Sequence, residues 1–432
     1  MPHRSTIQNA RLARRLLQPL RSELVQLVMD LVRTNTVAIP PDGNETPGQL
    51  VLRRFMGKYK LPSQLYETEF VTTADSPWKH TNRNYRGRKN LVAHLAGSGT
   101  GRSLLLSGHM DTVPTRAEAW STPPWSPELR KGRLYGLGTF DMKAGLAAQA
   151  VVLCALQAAK TRLRGDLIFE SVVDEEWGGG GGTLAGRLRG EMADACIISE
   201  GTQLDVYRAT RGGFIVDLSV SAGDASAYFS SSPVVSPAVP LGRLLRWVES
   251  WVKRRSRKAK RGAYQAISDP TPVQVFAVEA NRLDGNVPFS VPTTAAVRVY
   301  FQFLPHEDVP TVIAAILDSL RQFEQADPFF REHSIQWRPV VDPPLLGHEL
   351  PRQHSWTQCL IRSASAALGK PPAVTAAPYP CDAFLMQRVY GIPTLLFGPR
   401  GGGAHNPDEY VEARSVLQTA EVLLTTALEW SD

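Results

Sequence analysis

The sequence predicts an α/β domain that is interrupted by a smaller inserted α+β domain. Three observations lead to this prediction. The chain has 432 residues, more than one compact core normally holds. From residue 90 onward, short apolar runs alternate with helical patterns, which is typical of an α/β sheet. The pattern changes near Arg211 and resumes after Pro343 and Pro344, which indicates an insertion.

The first segment supplies most of the predicted sheet. A basic helix near the N-terminus leads into the apolar stretch 24–32. Residues 144–160 predict an Ala-rich helix. Apolar runs of strand length predict buried strands at residues 90–95, 103–107, 167–173 and 195–199.

The inserted segment has a different order of elements. Its predicted strands are residues 214–220, 272–279, 293–301 and 335–341, and its predicted helices are residues 241–253 and 309–324. The resulting order, strand-helix-strand-strand-helix-strand, is that of a ferredoxin-like fold. A helix at 355–368 and a strand at 394–397 then complete the first domain. We therefore expect a catalytic domain formed by residues 1–210 and 345–432, with residues 211–344 inserted.

Composition excludes several classes of protein. With 43% hydrophobic and 21% charged residues, the chain as a whole is not disordered, collagen-like or a coiled coil. Its four cysteines are scattered and show no CxxC spacing, which favours a reducing cytoplasm. No uncharged apolar run approaches the ~20 residues that span a bilayer, so no membrane contact is expected.

The charge balance raises the alternative of a polyanion-binding protein. Residues 253–261 contain seven basic residues and no acid, which equals the whole net charge of +7. This run lacks the interleaved aromatic residues of a nucleic-acid stacking surface. A solvated helix end and loop is the favoured explanation of this run, so nucleic acid is not expected as a partner.

The first candidate ligand follows a predicted strand, in Ser107-Gly108-His109-Met110-Asp111. Side chains two residues apart on an extended backbone share one face. Asp111 could therefore hold one imidazole nitrogen of His109 while the other binds a metal. A structural histidine beside a helix-capping aspartate remains the alternative.

Two further acidic motifs follow. Asp141 directly precedes the Ala-rich helix, where a helix cap is the simpler explanation. Glu175 and Glu176 end a buried strand and are followed, after Trp177, by five glycines. Adjacent buried carboxylates repel each other unless a cation or a shared proton compensates them. One could bind a metal while its neighbour acts as a general base, although a solvated acidic turn is the alternative.

The last candidates are Glu200, at the end of another apolar run, and His405, on a glycine-flanked loop. Ligands of open α/β sheets bind at the carboxyl ends of strands, which is where these residues are expected. Two histidines with three carboxylates suit a pair of divalent cations that share one carboxylate. Zn²⁺ fits this ligand set, and Co²⁺ or Mn²⁺ are possible.

These motifs resemble those of the co-catalytic zinc peptidase and deacylase family, which includes acetylornithine deacetylase, succinyl-diaminopimelate desuccinylase, aminoacylase and glutamate carboxypeptidase. The resemblance extends from about Leu24 to the C-terminus. It implies a zinc-peptidase-like catalytic domain in which residues 211–344 form a lid or dimerisation domain, so that a homodimer is possible.

The resemblance also implies a role for each candidate residue. His109, Asp141 and Glu200 would hold one metal, and Asp141, Glu176 and His405 the other. Glu175 would be the general base and acid, Asp111 would orient His109, and the Asp141–Met142 peptide bond would be cis. The implied substrate-binding residues are Arg211, Asn286 and Gly401.

The lid departs from the family pattern in two places. The family commonly has Gly-x-x-x-His, but residues 223–228 contain no histidine. Gln302 stands where an Arg that binds a substrate carboxylate is often found, and Arg208, Arg298 or Arg400 could replace it. The sequence therefore predicts a metal-dependent hydrolase that cleaves the amide bond of a small N-acyl amino acid or dipeptide-like substrate. A metal-binding member with weak or no activity remains the alternative.

Overall fold

The computed structural model describes residues 4–80, 82–178, 180–222, 236–256, 262–280 and 291–432. The backbone divides into two compact units. The first comprises Met1–Ala209, Glu349–Ala377 and Cys381–Asp432. The second comprises Thr210–His348 and Pro378–Pro380.

Helices and strands alternate along most of the described chain. The helices are α1 (Arg4–Leu17), α2 (Arg21–Val32), α3 (Thr46–Lys58), α4 (Ala144–Ala158), α5 (Gly181–Leu188), α6 (Ala238–Ser256), α7 (Val309–Ala326), α8 (Pro328–Glu332), α9 (Ser355–Leu368) and α10 (Ala413–Trp430). The strands are β1 (Ala38–Ile39), β2 (Asp42–Gly43), β3 (Ser63–Glu67), β4 (Lys89–Leu95), β5 (Leu104–His109), β6 (Glu128–Arg130), β7 (Arg133–Tyr135), β8 (Leu167–Val172), β9 (Cys196–Ile198), β10 (Val206–Tyr207), β11 (Ala209–Thr210), β12 (Gly212–Ser221), β13 (Val273–Glu279), β14 (Thr294–Phe303), β15 (Gln336–Pro339), β16 (His348–Glu349), β17 (Val374–Thr375), β18 (Thr394–Leu396), β19 (Gly401–Gly402) and β20 (Tyr410–Glu412).

An eight-stranded sheet forms the centre of the first unit, in the order β17-β10-β18-β9-β5-β8-β4-β3. Strand β5 is central and pairs in parallel with both β8 and β9, and β9 pairs in parallel with β18. Every residue of β5, β8 and β9 is buried. Parallel strands buried on both faces read as continuous apolar runs, which explains why the sequence predicts them.

Helix α4 is buried over most of its circumference. Small residues make this possible: a Cβ on Gly145 would lie 2.0 Å from the backbone oxygen of Ser199, so glycine is required for this close approach. Among the described residues one stretch, Thr139–Ala158, is apolar and long enough to cross a membrane, but 89% of its apolar window is buried inside the protein. A core helix of a soluble protein has the same properties.

The second unit contains a four-stranded antiparallel sheet in the order β13-β14-β12-β15. Chain order gives β12, α6, β13, β14, α7, the short helix α8 and β15, which apart from α8 is the ferredoxin-like order that the sequence predicts. Its own apolar core joins β12 and β14 to α6 and α7. The mixed α/β fold class predicted from the sequence is confirmed.

Candidate metal centre

His109 is the last residue of β5 and is almost completely buried. Its Nδ1 lies 3.0 Å from the backbone oxygen of Asp111 and 3.5 Å from Asp111 Oδ1. Its Nε2 lies 3.0 Å from Asp141 Oδ1 and 3.5 Å from Glu200 Oε1. Contact with Asp111 on one side therefore directs the other imidazole nitrogen toward two carboxylates.

Asp141 lies between two imidazoles. Its Oδ1 faces His109, and its Oδ2 lies 3.1 Å from Nε2 of His405. The residue belongs to an irregular helical turn, Thr139–Lys143, and its peptide bond to Met142 is cis. Asp141 does not cap helix α4, because the residue at the cap position is Lys143.

Glu175 and Glu176 follow β8 on a loop whose backbone is held by Asp111. The two carboxylate oxygens of Asp111 accept hydrogen bonds from the backbone N–H groups of Glu175 at 3.2 Å and of Glu176 at 3.0 Å. Oε2 of Glu176 lies 2.9 Å from Nε2 of His405. The two glutamate side chains are 14% and 4% exposed, so this loop is not a solvated acidic turn.

Glu200 and His405 complete the cluster, and they differ in backbone context and exposure. Glu200 lies just after the buried strand β9, and its side chain is 7% exposed. His405 has a positive φ of 60° on the loop between β19 and β20, and its side chain is 53% exposed. The structure therefore places all five predicted ligands, together with Glu175 and Asp111, in one cluster.

The cluster carries more negative charge than its histidines compensate. Burial raises the pKa of Glu175, Glu176 and Glu200, and nearby carboxylates add to this effect. Hydrogen bonds to Asp111 and Asp141 raise the pKa of His109 even though burial opposes it. Groups that hold protons in this way indicate a place where further positive charge is stabilising.

The donor atoms fit a pair of divalent cations. Each histidine Nε2 lies 2.9–3.5 Å from carboxylate oxygens of its group, in the sets His109-Asp141-Glu200 and Asp141-Glu176-His405. Tetrahedral coordination with ~2.0–2.1 Å bonds to nitrogen and oxygen requires ligand atoms about 3.3 Å apart. These distances agree with two ligand sets that share Asp141, and that assignment stays a prediction. The ligand atoms of His109, Asp141 and Glu176, and those of His109, Glu175 and Glu200, also lie within 4.8 Å of one another.

A support that the sequence does not reveal lies in residues 80–90. Tyr85 Oη donates to Asp174 Oδ2 at 2.7 Å, and Arg88 Nη2 lies 3.2 Å from Asp174 Oδ1. Arg83 Nη2 donates to the backbone oxygen of Trp177, and Asn90 Nδ2 to that of Gly182. One short segment thus holds the loop that carries Glu175 and Glu176. In the sequence, the basic residues just before β4 are the one feature that points to this support.

The predicted substrate-binding residues have mixed outcomes. Arg211 lies in the second unit, where its guanidinium donates to Gln302, to the backbone oxygen of Pro378 and to that of Asp269. Gly401 is required by packing, since a Cβ there would lie 2.3 Å from the backbone oxygen of Tyr410. Their contact with substrate stays a prediction. Asn286 and residues 223–228 lie outside the described residues.

The three arginines that could replace the missing lid arginine also have protein partners. Arg298 forms a two-pronged pair with Asp217, and Arg208 pairs with Glu349 at 2.6 Å. Nε of Arg400 donates to the backbone oxygen of Gln203. These contacts give each arginine a structural role and single out none of them for a substrate carboxylate.

An α/β fold with two joined carboxylate–histidine sets at the carboxyl edge of its sheet defines a metallohydrolase. The comparison with family models agrees, since residues 105–429 match the model for peptidase family M20/M25/M40. The match covers most of the chain, and the chain belongs to this family.

Curated relatives and solved structures give the same result. The chain is 27% identical to an N-formyl-4-amino-5-aminomethyl-2-methylpyrimidine deformylase from Halalkalibacterium halodurans, over 95% of each chain. It is 29% identical to an acetylornithine deacetylase from Salmonella arizonae, over 78% of this chain and 83% of the relative. The structure of the dipeptidase Dug1p from Saccharomyces cerevisiae matches with a TM-score of 0.76 at 13% identity, over 100% of this chain and 99% of that chain. The protein is therefore a metal-dependent hydrolase of a family that acts on amides.

Proposed function

We propose that this enzyme is a deacylase that hydrolyses the amide bond of a small N-acyl amino acid or dipeptide-like compound. The observation that carries the proposal is Asp141, whose two oxygens each face one histidine Nε2. Two of its relatives, named as a deformylase and a deacetylase, remove small acyl groups from amines. A chain that retains the same family motifs over nearly its whole length is expected to perform related chemistry.

The residues that would hold the cations are His109, Asp141 and Glu200 for one, and Asp141, Glu176 and His405 for the other. Nitrogen and carboxylate ligands favour Zn²⁺, with Co²⁺ or Mn²⁺ as alternatives. Bound there, divalent cations would polarise an amide carbonyl and make water a stronger nucleophile.

Glu175 is the proposed general base and acid. Its side chain has Oε2 3.9 Å from Nε2 of His109, and its ligand atom lies within 4.8 Å of those of His109 and Glu200. As base it removes a proton from the attacking water, and as acid it passes this proton to the leaving amine. Asp111 fixes the orientation of Glu175 and of His109, because it accepts the backbone N–H of Glu175 and contacts the imidazole of His109.

Within this class, we propose that a carboxylate on the substrate is tolerated but not required, so that N-formyl and N-acetyl amines are cleaved as well as N-acyl amino acids. Gln302, at the position where the resemblance expects an arginine, is a buried neutral amide that accepts a hydrogen bond from Arg211 at 3.2 Å. The compound in the name of the relative from Halalkalibacterium halodurans is a formylated aminomethylpyrimidine, which has no carboxylate. Both observations favour a small N-formyl or N-acetyl amine over a substrate anchored by its carboxylate.

The experiment is an activity screen combined with metal analysis of the same sample, purified without chelators. Matched pairs of N-formyl and N-acetyl amines with and without a carboxylate are compared with dipeptides. We expect two cations per chain and hydrolysis of the neutral N-acyl amines. Glu175→Gln should keep both cations and lose about 10²–10⁴ in rate. A metal-free protein, or no hydrolysis with added Zn²⁺, Co²⁺ or Mn²⁺, would overturn the proposal and leave an inactive member.

We also propose that the second unit is a lid through which two copies pair, and that the enzyme is cytoplasmic. Strand β13 is an edge strand of its sheet, and its Val275, Phe276 and Val278 are exposed. Exposed apolar edge strands are surfaces on which another strand can pair. Sedimentation of the protein and of Phe276→Lys tests the dimer, which the substitution should weaken.

The proposed cytoplasmic location rests on the cysteines. All four cysteines are free and buried, which fits a reducing compartment.

A further inference from the structure

Glu409 is a buried carboxylate that has no part in the chemistry described above. Its side chain accepts three backbone hydrogen bonds from the turn that carries Asp141. Oε2 accepts the N–H of Gly138 at 2.7 Å, and Oε1 accepts those of Phe140 at 2.7 Å and Asp141 at 2.9 Å. The residue is 1% exposed. Both carboxylate oxygens are therefore used to fix one turn of backbone.

The same segment of chain carries a predicted ligand. His405 lies four residues before Glu409, and its Nε2 is 3.1 Å from Asp141 Oδ2. The backbone oxygen of Glu409 accepts the N–H of Gly136 at 3.0 Å, which adds a fourth bond between the two segments. Glu409 thus joins the loop of His405 to the turn of Asp141, although 268 residues separate Asp141 from Glu409 in sequence.

We propose that Glu409 is a positioning residue that sets the ligand set Asp141-Glu176-His405, which rests on the function proposed above. Asp141 and His405 stand on the two segments that Glu409 connects. His109 and Glu200, in contrast, lie at the ends of β5 and β9 and are held by the sheet. Losing the connection should therefore weaken one cation site much more than the other.

Glutamine at position 409 tests this with almost no change of shape. The single oxygen of the glutamine amide can still accept the N–H groups of Phe140 and Asp141. The NH₂ group must then face the remaining backbone donor, the N–H of Gly138. A buried donor is then left without an acceptor, which destabilises this arrangement of the turn. Removing an outer partner of a metal ligand typically weakens metal affinity 10–100-fold.

The experiment is a calorimetric titration of Zn²⁺ into the cation-free full-length protein. We expect two binding events in the unsubstituted protein. In Glu409→Gln, one event should weaken 10–100-fold, while the other, which shares only Asp141 with the two connected segments, should weaken markedly less. Glu412→Gln, the same substitution three residues further on and outside the turn, is the matched control and should leave both events unchanged. Thermal unfolding of the cation-free proteins measures any general loss of stability.

Each outcome separates this inference from the proposed function. If the unsubstituted protein binds no Zn²⁺, the proposed function fails. If it binds two ions and Glu409→Gln binds both equally well, the function stands and the positioning role of Glu409 is wrong. If Glu409→Gln does not fold, Glu409→Asp replaces it, because a shorter carboxylate keeps the charge but reaches fewer N–H groups. If both variants fail to fold, Glu409 is a structural residue and the inference is overturned.

Discussion

The two histidines of the metal centre are supported in opposite ways. His109 ends a central strand of a buried sheet, and its side chain is 1% exposed. His405 stands on a loop with left-handed backbone conformation, and its side chain is 53% exposed. Both place Nε2 about 3 Å from the same carboxylate, that of Asp141. Similar ligand geometry is thus obtained once from the sheet and once from a loop.

This difference gives the centre a buried side and an exposed side. The His109 side is buried against the sheet and beside Asp111. The exposed imidazole of His405 marks the side that faces solvent within the first unit. We call His109 and Glu200 the sheet-held half of the centre, and Glu176 and His405 the loop-held half. The sheet-held half can remain fixed while the loop-held half meets water and substrate.

The largest expected effect comes from removing each histidine in turn. His109→Ala removes the imidazole that faces the buried carboxylate of Glu200 and that is one of the two imidazoles contacted by Asp141, and burying unpaired charge is costly. It should lower cation affinity by more than the ~10–100-fold typical of outer partners, and it should lower the unfolding temperature. His405→Ala should retain one tightly bound cation per chain and unfold near the unsubstituted protein.

Mass-spectrometric metal content and thermal unfolding measure both effects. His94→Ala is the control, because His94 lies on β4 and pairs with Glu191 away from the centre. If the two variants at 109 and 405 lose equal amounts of metal and of stability, the sheet-held and loop-held halves do not differ and the comparison is wrong.

The sequence predicts the sheet-held half well because its information is local. An apolar run that is separated from Glu200 by one residue, or from His109 by two, predicts both the strand and the ligand near its end. Helix α9 has the same bounds in prediction and structure, Ser355–Leu368, and most predicted strands agree within two residues. Buried strands and amphipathic helices are set by side-chain periodicity, which is visible in one sequence.

The supports of the loop-held half could not be predicted in this way. Glu409 acts through backbone N–H groups that lie about 270 residues away in sequence, and every residue type offers such a group. Tyr85 and Arg88 act through Asp174, in a segment whose pattern resembles any basic loop. Such contacts depend on the tertiary fold and leave no periodic trace in the sequence.

A smaller effect is expected from Tyr85→Phe, which tests whether the Glu175 loop is also held from behind. The substitution deletes the hydroxyl that donates to Asp174 at 2.7 Å, within a buried network. A hydrogen bond to a buried charged group contributes about 1.5–3 kcal/mol. We expect unchanged metal content and KM, with kcat reduced up to about tenfold because Glu175 is less well oriented.

Tyr59→Phe is the matched control, since Tyr59 donates to Glu23 at 2.6 Å in the same unit but far from this loop in sequence. It should lose a similar bond and keep full kcat. Equal losses of kcat in the two variants, or loss of metal from Tyr85→Phe, would show that Tyr85 contributes general stability rather than orientation of Glu175.

The smallest expected effect lies in the second unit, where arginine side chains of the protein compensate the negative charge of an acid. Hydrogen bonds from Arg298 and Arg338 lower the pKa of Asp217, whereas burial raises the pKa of the three glutamates of the metal centre, Glu175, Glu176 and Glu200. A lowered pKa stabilises the fold above the ordinary carboxyl value of about 3.9, and this contribution disappears as the pH falls through the lowered value. Asp217→Asn should therefore cost about 1 kcal/mol of unfolding free energy at pH 7, since Arg338 is largely solvated, and progressively less below about pH 4.

Denaturant unfolding between pH 3 and 7 measures this free energy. Asp318→Asn is the control, because it removes the acid of an exposed ion pair with Arg321 and should change the free energy little. Added Zn²⁺ should raise the stability of both variants equally, because neither acid contributes to the metal centre. A Zn²⁺-dependent difference between them would show that the two kinds of charge compensation are not separate.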